Sequence, residues 1–236
     1  MNRMPCRNLL LFTLAALTLI TPVPIHAWQW EELRLRRVPV PSVLHALKTE
    51  TSTDLDSDGI PEMLMLTDGR VAIRTGSETR WQSPPEWRVV QAQIADLNRD
   101  GQLEAALLVW RPFKPWPVDA WLPNGGRISG FHDSSGESCH IILIGWKWDA
   151  FRELWAGSAL AEPVKEFAAV SLAGSGGQYL VTLEGEYDDP PSAPARRLKV
   201  WEWNGFGFTV VHELDDSFNL LVPARTEDGQ VLILTD

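Results

Sequence analysis

The sequence has few of the residues that build disulfide-rich proteins. It holds two cysteines in 236 residues, and Cys6 lies within a segment typical of a signal peptide. Once that segment is removed, Cys139 is the single thiol, so an internal disulfide cannot form. A buried thiol and an intermolecular disulfide are the two interpretations that stay open for Cys139.

Basic residues are also scarce. Loss of Arg3 and Arg7 with the signal segment reduces the 21 basic residues to 19, against 31 acidic ones, which is a net charge of −12. A surface of this sign repels a phosphate backbone. We therefore expect no nucleic-acid partner.

The longest apolar run is short for a membrane anchor, so a cleaved signal peptide is favoured over the alternative of a retained anchor. The run from Leu9 to Ile20 follows two arginines and precedes Thr21-Pro22 and a small residue at Ala27, whereas a transmembrane helix needs about 20 apolar residues. This arrangement is typical of a secretory signal peptide cleaved before Trp28. We expect a signal peptide at 1–27, one domain at 28–236, and a secreted, periplasmic or cell-surface protein with no membrane span after cleavage.

Motifs that carry common enzyme chemistry are absent. The chain has no G-x-S-x-G, no H-E-x-x-H and no glycine-rich phosphate loop. His132-Asp133 and Cys139-His140 are the grouping that invites a catalytic or zinc interpretation. A lone histidine at the start of an apolar strand is more often structural, so we expect a non-enzymatic protein.

What the sequence does contain is a repeated acidic loop. DLDSDGIPE at 54–62 and DLNRDGQLE at 96–104 share the pattern D-L-[DN]-x-D-G-x-x-E, and short strand-like segments flank both. Two degenerate copies follow, one near 171–175 without acids and one at 228–229 that keeps only Asp-Gly. The repeating unit is strand, acidic loop, strand.

Tryptophan-rich hairpins complete these units. IGWKWDAFRELW at 144–155 matches KVWEWNGFGFTVV at 199–211, a shorter hairpin lies at 69–81, and WQWEELRLRRV at 28–38 opens the mature chain. Since no hairpin follows the last loop, the N-terminal hairpin would complete its unit and close a ring. We predict an all-β propeller of four four-stranded blades, with complete units at 43–83, 88–157 and 164–213. An open twisted sheet or a β-sandwich is the alternative.

Alternate carboxylates on a tight loop suit calcium, which takes six to eight oxygen ligands. An EF-hand is excluded, because its twelfth position requires glutamate and is Met65 or Leu107 here. Solvated acidic turns are the alternative. The candidate ligands are the side chains at positions one, three, five and nine and the carbonyl at position seven: Asp54, Asp56, Asp58, Ile60 and Glu62, then Asp96, Asn98, Asp100, Gln102 and Glu104.

The two loops DLDSDGIPE and DLNRDGQLE resemble FG-GAP repeats, also called VCBS repeats, which form the β-propeller of integrin α chains and occur in many exported bacterial proteins. The resemblance implies that each loop joins the first two strands of a blade and binds calcium through Asp54, Asp56, Asp58 and Glu62 and through Asp96, Asn98, Asp100 and Glu104. This chain has glutamate at the ninth position, where that family usually has aspartate.

Two long inserts lie between the second and third strands of their units. They cover 111–138 and 185–197, and strand alternation places them on the face opposite the acidic loops. Loops longer than about 12 to 15 residues usually have a function, and aromatic rings beside charged groups suit a protein or glycan partner. The candidate ligand-binding residues are Trp116, Trp121, Arg127, Tyr187 and Asp188.

These expectations combine into one hypothesis. We predict an exported, non-enzymatic, calcium-binding β-propeller that binds a protein or glycan through the face opposite its metal loops. The alternatives are a polysaccharide hydrolase or lyase that uses His132, Asp133 and the carboxylates of the second insert, and an architectural subunit of an envelope assembly.

Overall fold

The computed structural model describes residues 24–115, 130–172 and 177–236, and within them the secondary structure is entirely β. The described residues form 17 strands: His26–Glu31 (β1), Arg34–Val38 (β2), His45–Ala46 (β3), Ser52–Thr53 (β4), Glu62–Thr67 (β5), Arg70–Thr75 (β6), Glu78–Gln82 (β7), Arg88–Ala95 (β8), Glu104–Pro112 (β9), Glu137–Lys147 (β10), Ala150–Ala156 (β11), Val164–Val170 (β12), Tyr179–Glu184 (β13), Ala195–Trp203 (β14), Phe208–Phe218 (β15), Val222–Arg225 (β16) and Val231–Thr235 (β17).

Four antiparallel sheets are arranged as a four-bladed propeller. Blade 1 is β4-β5-β6-β7, blade 2 is β8-β9-β10-β11, blade 3 is β12-β13-β14-β15, and blade 4 is β16-β17-β1-β2. The short strand β3 adds a fifth strand to blade 4 by pairing with β16. The predicted all-β propeller is therefore confirmed, and so is the assembly of its last blade from both ends of the chain.

Blade 4 is closed by β1, which lies antiparallel to β17. Their register runs from His26 opposite Thr235 to Gln29 opposite Leu232, and the Trp28 indole N–H donates to Thr235 Oγ1 at 2.9 Å. Because β1 starts at His26, cleavage before Trp28 would remove two residues of this strand. The signal-peptide boundary stays a prediction.

The central strands are apolar at nearly every position where a blade packs on both faces, as blade 2 does. In β9 and β10, alternate side chains point to opposite sides. Ile142 and Ile144 join the cluster between blades 1 and 2, whereas Ile141 and Leu143 join the cluster between blades 2 and 3. A third cluster joins blades 3 and 4. Among the described residues no such cluster joins blades 4 and 1, and Met63 on that side of β5 is 49% exposed.

Two glutamine side chains connect blades 2 and 3 near the ring axis. Gln91 on β8 exchanges two hydrogen bonds with the backbone of Phe167, at 2.6 and 2.9 Å. Gln93 does the same with Ala169, at 3.3 and 3.0 Å. Each amide thus acts as one residue of an additional strand and satisfies the backbone groups on the inner edge of β12.

The observed inserts are shorter than those predicted from the sequence, because the flanking strands extend further into them. The connection in blade 2 covers 113–136 and the one in blade 3 covers 185–194. The candidate ligand residues Trp116, Trp121 and Arg127 lie outside the described residues. In the part of the chain that is described, no helix is long and apolar enough to cross a membrane.

Candidate metal loops and the opposite face

Both acidic loops link the first and second strands of a blade, as predicted, and they share one backbone shape. The fourth position has a positive φ in each, 62° at Ser57 and 59° at Arg99, and the sixth position is a glycine with φ of 88° at Gly59 and 86° at Gly101. Glycine adopts that conformation without strain. Leucine at the second position, Leu55 or Leu97, is buried in the core and anchors the loop.

The carboxylates of the first loop face inward, toward its backbone amides. Asp54 accepts from the amides of Asp58 at 3.1 Å and Gly59 at 2.9 Å, and Asp58 accepts from Ile60 at 2.7 Å. Carboxylate oxygens of Asp54, Asp56 and Asp58 lie within 4.8 Å of one another. The loop therefore gathers three negative charges around one point.

Two further contacts shape the first loop. Glu62 is fully buried, and both its oxygens accept hydrogen bonds, from the Leu55 amide at 2.8 Å and the Thr75 hydroxyl at 2.9 Å. Asp56 pairs with the guanidinium of Arg80 on β7 at 3.1 Å. The Arg80 guanidinium therefore supplies a positive charge to the first loop from β7. Both oxygens of Glu62, at the ninth position, already have hydrogen-bond partners.

The second loop repeats the backbone pattern. Asp96 accepts from the amide of Gly101 at 3.2 Å, and Asp100 accepts from the amide of Gln102 at 2.9 Å. Asn98 Oδ1 accepts from the amide of Asp100 at 3.0 Å. Oxygens of Asp96, Asp100 and Glu104 lie within 4.8 Å of one another, so here the ninth position belongs to the cluster.

Glu104 distinguishes the second loop chemically. Its Oε1 accepts from the amides of Leu97 and Asn98 at 3.0 and 3.1 Å, but its Oε2 is buried without a partner among the described residues, as is Asp96 Oδ1. Glu104 is only 1% exposed to solvent. Burial raises the pKa of Glu104 to about 8, with the charges of Asp96 and Asp100 acting in the same direction. A cation bound between Asp96 Oδ1 and Glu104 Oε2 would satisfy both oxygens.

Blade 3 braces the second loop. Gln178 accepts from the Asp96 amide at 2.7 Å, while Arg99 pairs with Glu202 and stacks over the ring of Tyr179 at 4.6 Å. Because Arg99 points away toward blade 3, it does not neutralise the oxygens of its own loop. The two loops thus have the same backbone conformation but differ in their arginine contacts. Arg80 pairs with Asp56 of the first loop, whereas Arg99 of the second loop pairs with Glu202 of blade 3.

On the opposite face, the predicted ligand residue Tyr187 packs between blades 2 and 3. Its hydroxyl donates to the Leu160 carbonyl at 2.8 Å and accepts from the Cys139 amide at 3.2 Å. Burial raises its pKa above the ordinary value. The neighbouring Asp188 is exposed. The structure thus gives Tyr187 contacts that hold the insert of blade 3 against blade 2.

The grouping of His132, Asp133, Cys139 and His140 does not form one site. Cys139 and His140 are adjacent on β10 and point to opposite faces, and Cys139 is fully buried, which supports the buried-thiol interpretation. Burial lowers the pKa of His140 to about 4, so the ring is neutral. Asp133 caps a turn by accepting from Ser135 and Glu137, and although burial acts the other way, these bonds lower its pKa. A capped carboxylate of this kind is a poor general acid.

Comparison with known proteins gives no match: no family model matches the chain, and no curated protein or solved structure is significantly similar to it. The likeness of the two acidic loops to FG-GAP repeats therefore rests on the motif and its position in the blade. The interpretation of the sites rests on their geometry.

Proposed function

We propose that the protein is a calcium-binding β-propeller and that the second acidic loop is its principal metal site. The observation that carries the proposal is a pair of buried oxygens, Asp96 Oδ1 and Glu104 Oε2, that have no partner among the described residues and cluster with Asp100. Carboxylate and amide oxygens are the ligands that calcium prefers. Asn98 and the carbonyl of Gln102 would complete the ligand set.

The first loop is proposed as a weaker site. Asp54, Asp56 and Asp58 would supply its side-chain ligands and Ile60 a carbonyl, as predicted, but calcium must compete with Arg80 for Asp56. Glu62 would need to give up a hydrogen bond to join the ligand set. Both features lower the affinity of the first loop relative to the second.

Calcium would act structurally in this proposal. Each loop joins two strands and carries a leucine into an interblade cluster, so neutralising its charges stabilises the blade interface. The protein would be exported, non-enzymatic, and would bind a protein or glycan through the opposite face. In support, the described part of that face holds a pocket beside Trp87 and Arg111, whereas Asp133 is capped.

Calcium titration of the full chain tests the proposal. Isothermal calorimetry should show a tight site that Asp100→Asn weakens strongly and a second, weaker site. Asp228→Asn is the matched control, because Asp228 occupies the equivalent Asp-Gly turn of the fourth loop and is exposed. Absence of calcium binding, or equal loss in Asp100→Asn and Asp228→Asn, would contradict the proposal.

A further inference from the structure

A pocket of about 330 Å³ opens on blade 2 at the end opposite its acidic loop. It lies where β8 begins, β9 ends and β10 begins, and Trp87, Arg111, Phe113, Lys114, Ser138 and His140 line it. Ligand pockets measure about 300–1,000 Å³. This one therefore suits a single ring-sized group.

Arg111 is the unusual residue of this pocket. It is half-buried, it packs over the ring of Trp87 at 5.8 Å, and no carboxylate lies within 4.0 Å of it in the described ranges. Arg88 nearby, in contrast, is paired with Glu137 at 2.7 Å. The charges of Glu153 and Glu86 act on Arg111 from beyond that distance. Its donors thus have no carboxylate partner among the described residues, and they match the geometry of a carboxylate supplied by a ligand.

The floor of the pocket cannot satisfy Arg111. Its Nη2 lies 3.5 Å from His140 Nδ1, but that nitrogen is 2.9 Å from the carbonyl oxygen of Gly157, which only accepts hydrogen bonds. His140 Nδ1 therefore carries a proton and cannot accept from Arg111. His140 Nε2 in turn accepts from the Ser138 hydroxyl at 2.8 Å. The histidine and serine hydrogen-bond to each other, so neither side chain accepts from Arg111, and among the described residues its donors remain for a ligand.

The surroundings of Arg111 limit the class of anion. Lys114 adds a second, exposed cation to the wall, and Glu86 adds one exposed carboxylate. With Glu86 in the wall and Glu153 acting on Arg111, the two cations are largely balanced, and this favours a ligand with one carboxylate over a polyanion. Phe113 supplies an apolar ring, which suits the C–H face of a sugar.

We propose that this pocket binds the carboxylate of a sugar acid, that is, one uronate residue. The inference rests on the proposed function, in which this face binds a glycan, and it specifies the ligand. Arg111 contacts the carboxylate as a bidentate donor, Lys114 approaches it from the rim, and Phe113 packs against the sugar ring. Ser138 and His140 form the floor.

The test is a binding titration of the full chain, with calcium present, against methyl glucuronoside and against its methyl ester. The two probes differ in one charge. Wild type should bind the acid at least tenfold more tightly than the ester, and Arg111→Gln should lose at least tenfold in affinity for the acid. Arg34→Gln is the matched control, because Arg34 is exposed on β2 of blade 4, and it should bind like wild type.

Three results would overturn the inference. They are equal affinity for acid and ester, unchanged binding by Arg111→Gln, and binding of a tri-aspartate peptide in preference to the sugar acid. If Arg111→Gln does not fold, the acid–ester comparison on wild type decides alone. Calcium binding is measured separately in the same samples. If the loops bind calcium but the pocket does not bind the uronate, this inference is refuted and the calcium proposal is unaffected.

Discussion

Replacement of Glu104 by glutamine distinguishes a contribution of this residue to calcium binding from its contribution to the stability of the fold. The amide keeps an oxygen for the N–H groups of Leu97 and Asn98, and it replaces the oxygen that has no partner in the part of the chain that the structure describes. Its NH₂ group enters the cluster that also holds the unpartnered Asp96 Oδ1. In the presence of a chelator, Glu104→Gln should therefore be at least as stable as wild type.

Calcium should reverse that order. A ligand at 100 times its dissociation constant stabilises the folded state by about 2.7 kcal/mol. For a chain of this size, 1 kcal/mol shifts the melting temperature by about 2–4 °C. Wild type should therefore gain about 5–10 °C on saturation of the second loop, and Glu104→Gln should lose most of that gain. The assay is thermal unfolding followed by circular dichroism, in chelator and in calcium.

The matched variant is Glu62→Gln in the first loop. Both oxygens of Glu62 accept hydrogen bonds, so this change should lower the free energy of unfolding in chelator by about 1 kcal/mol. The calcium shift that the second loop supplies should persist. A full calcium shift in Glu104→Gln, or a loss of stability in chelator as large as that of Glu62→Gln, would contradict a ligand role for Glu104.

Four further predictions concern Arg80, Glu104, Gln91 and Cys139. Arg80→Met frees Asp56, so calorimetry should show about tenfold tighter calcium binding by the first loop. In chelator the free energy of unfolding should fall by about 1–3 kcal/mol. Unchanged calcium affinity would contradict competition by Arg80. Because burial raises the pKa of Glu104 from 4.5 to about 8, the chelated fold should lose stability as pH rises through that range, by at most about 5 kcal/mol; melting curves that are flat with pH would contradict this. Gln91→Ala leaves two backbone groups of β12 without partners and should lower the free energy of unfolding, measured with urea, by about 2 kcal/mol. Gln230→Ala is the control at an exposed position, and an equal loss in that variant would contradict the prediction. The Cys139 thiol, with its pKa raised to about 12 by burial, should react with a thiol reagent only after unfolding; rapid reaction of the native protein would show that the thiol is accessible.

The sequence carries enough local information to predict the blades and their loops. The acidic pattern with glycine at the sixth position specifies a tight turn, since Gly59 and Gly101 need positive φ. Continuous apolar runs at β9 and β10 indicate strands buried on both faces. The unpaired loop at the C-terminus and the hairpin at Trp28 together predict ring closure, which the pairing of β1 with β17 confirms.

Contacts between distant residues could not be predicted in this way. The motif makes the two loops nearly equivalent, yet they differ because Arg80, 24 residues from Asp56, returns on β7 to pair with it. Gln91 reaches Phe167, which is 76 residues away, and nothing in its neighbours signals that contact. The isolation of Arg111 likewise depends on the tautomer that the Gly157 carbonyl imposes on His140. Such features depend on how the blades pack against one another.

A crystal structure of the protein grown with calcium tests the central claim most directly. We expect an anomalous peak in the second loop, with oxygens of Asp96, Asn98, Asp100 and Glu104 at about 2.3–2.6 Å from the ion. The peak in the first loop should be weaker, with Arg80 still close to Asp56 at limiting calcium. A second loop without an ion, beside a fully occupied first loop, would contradict the account.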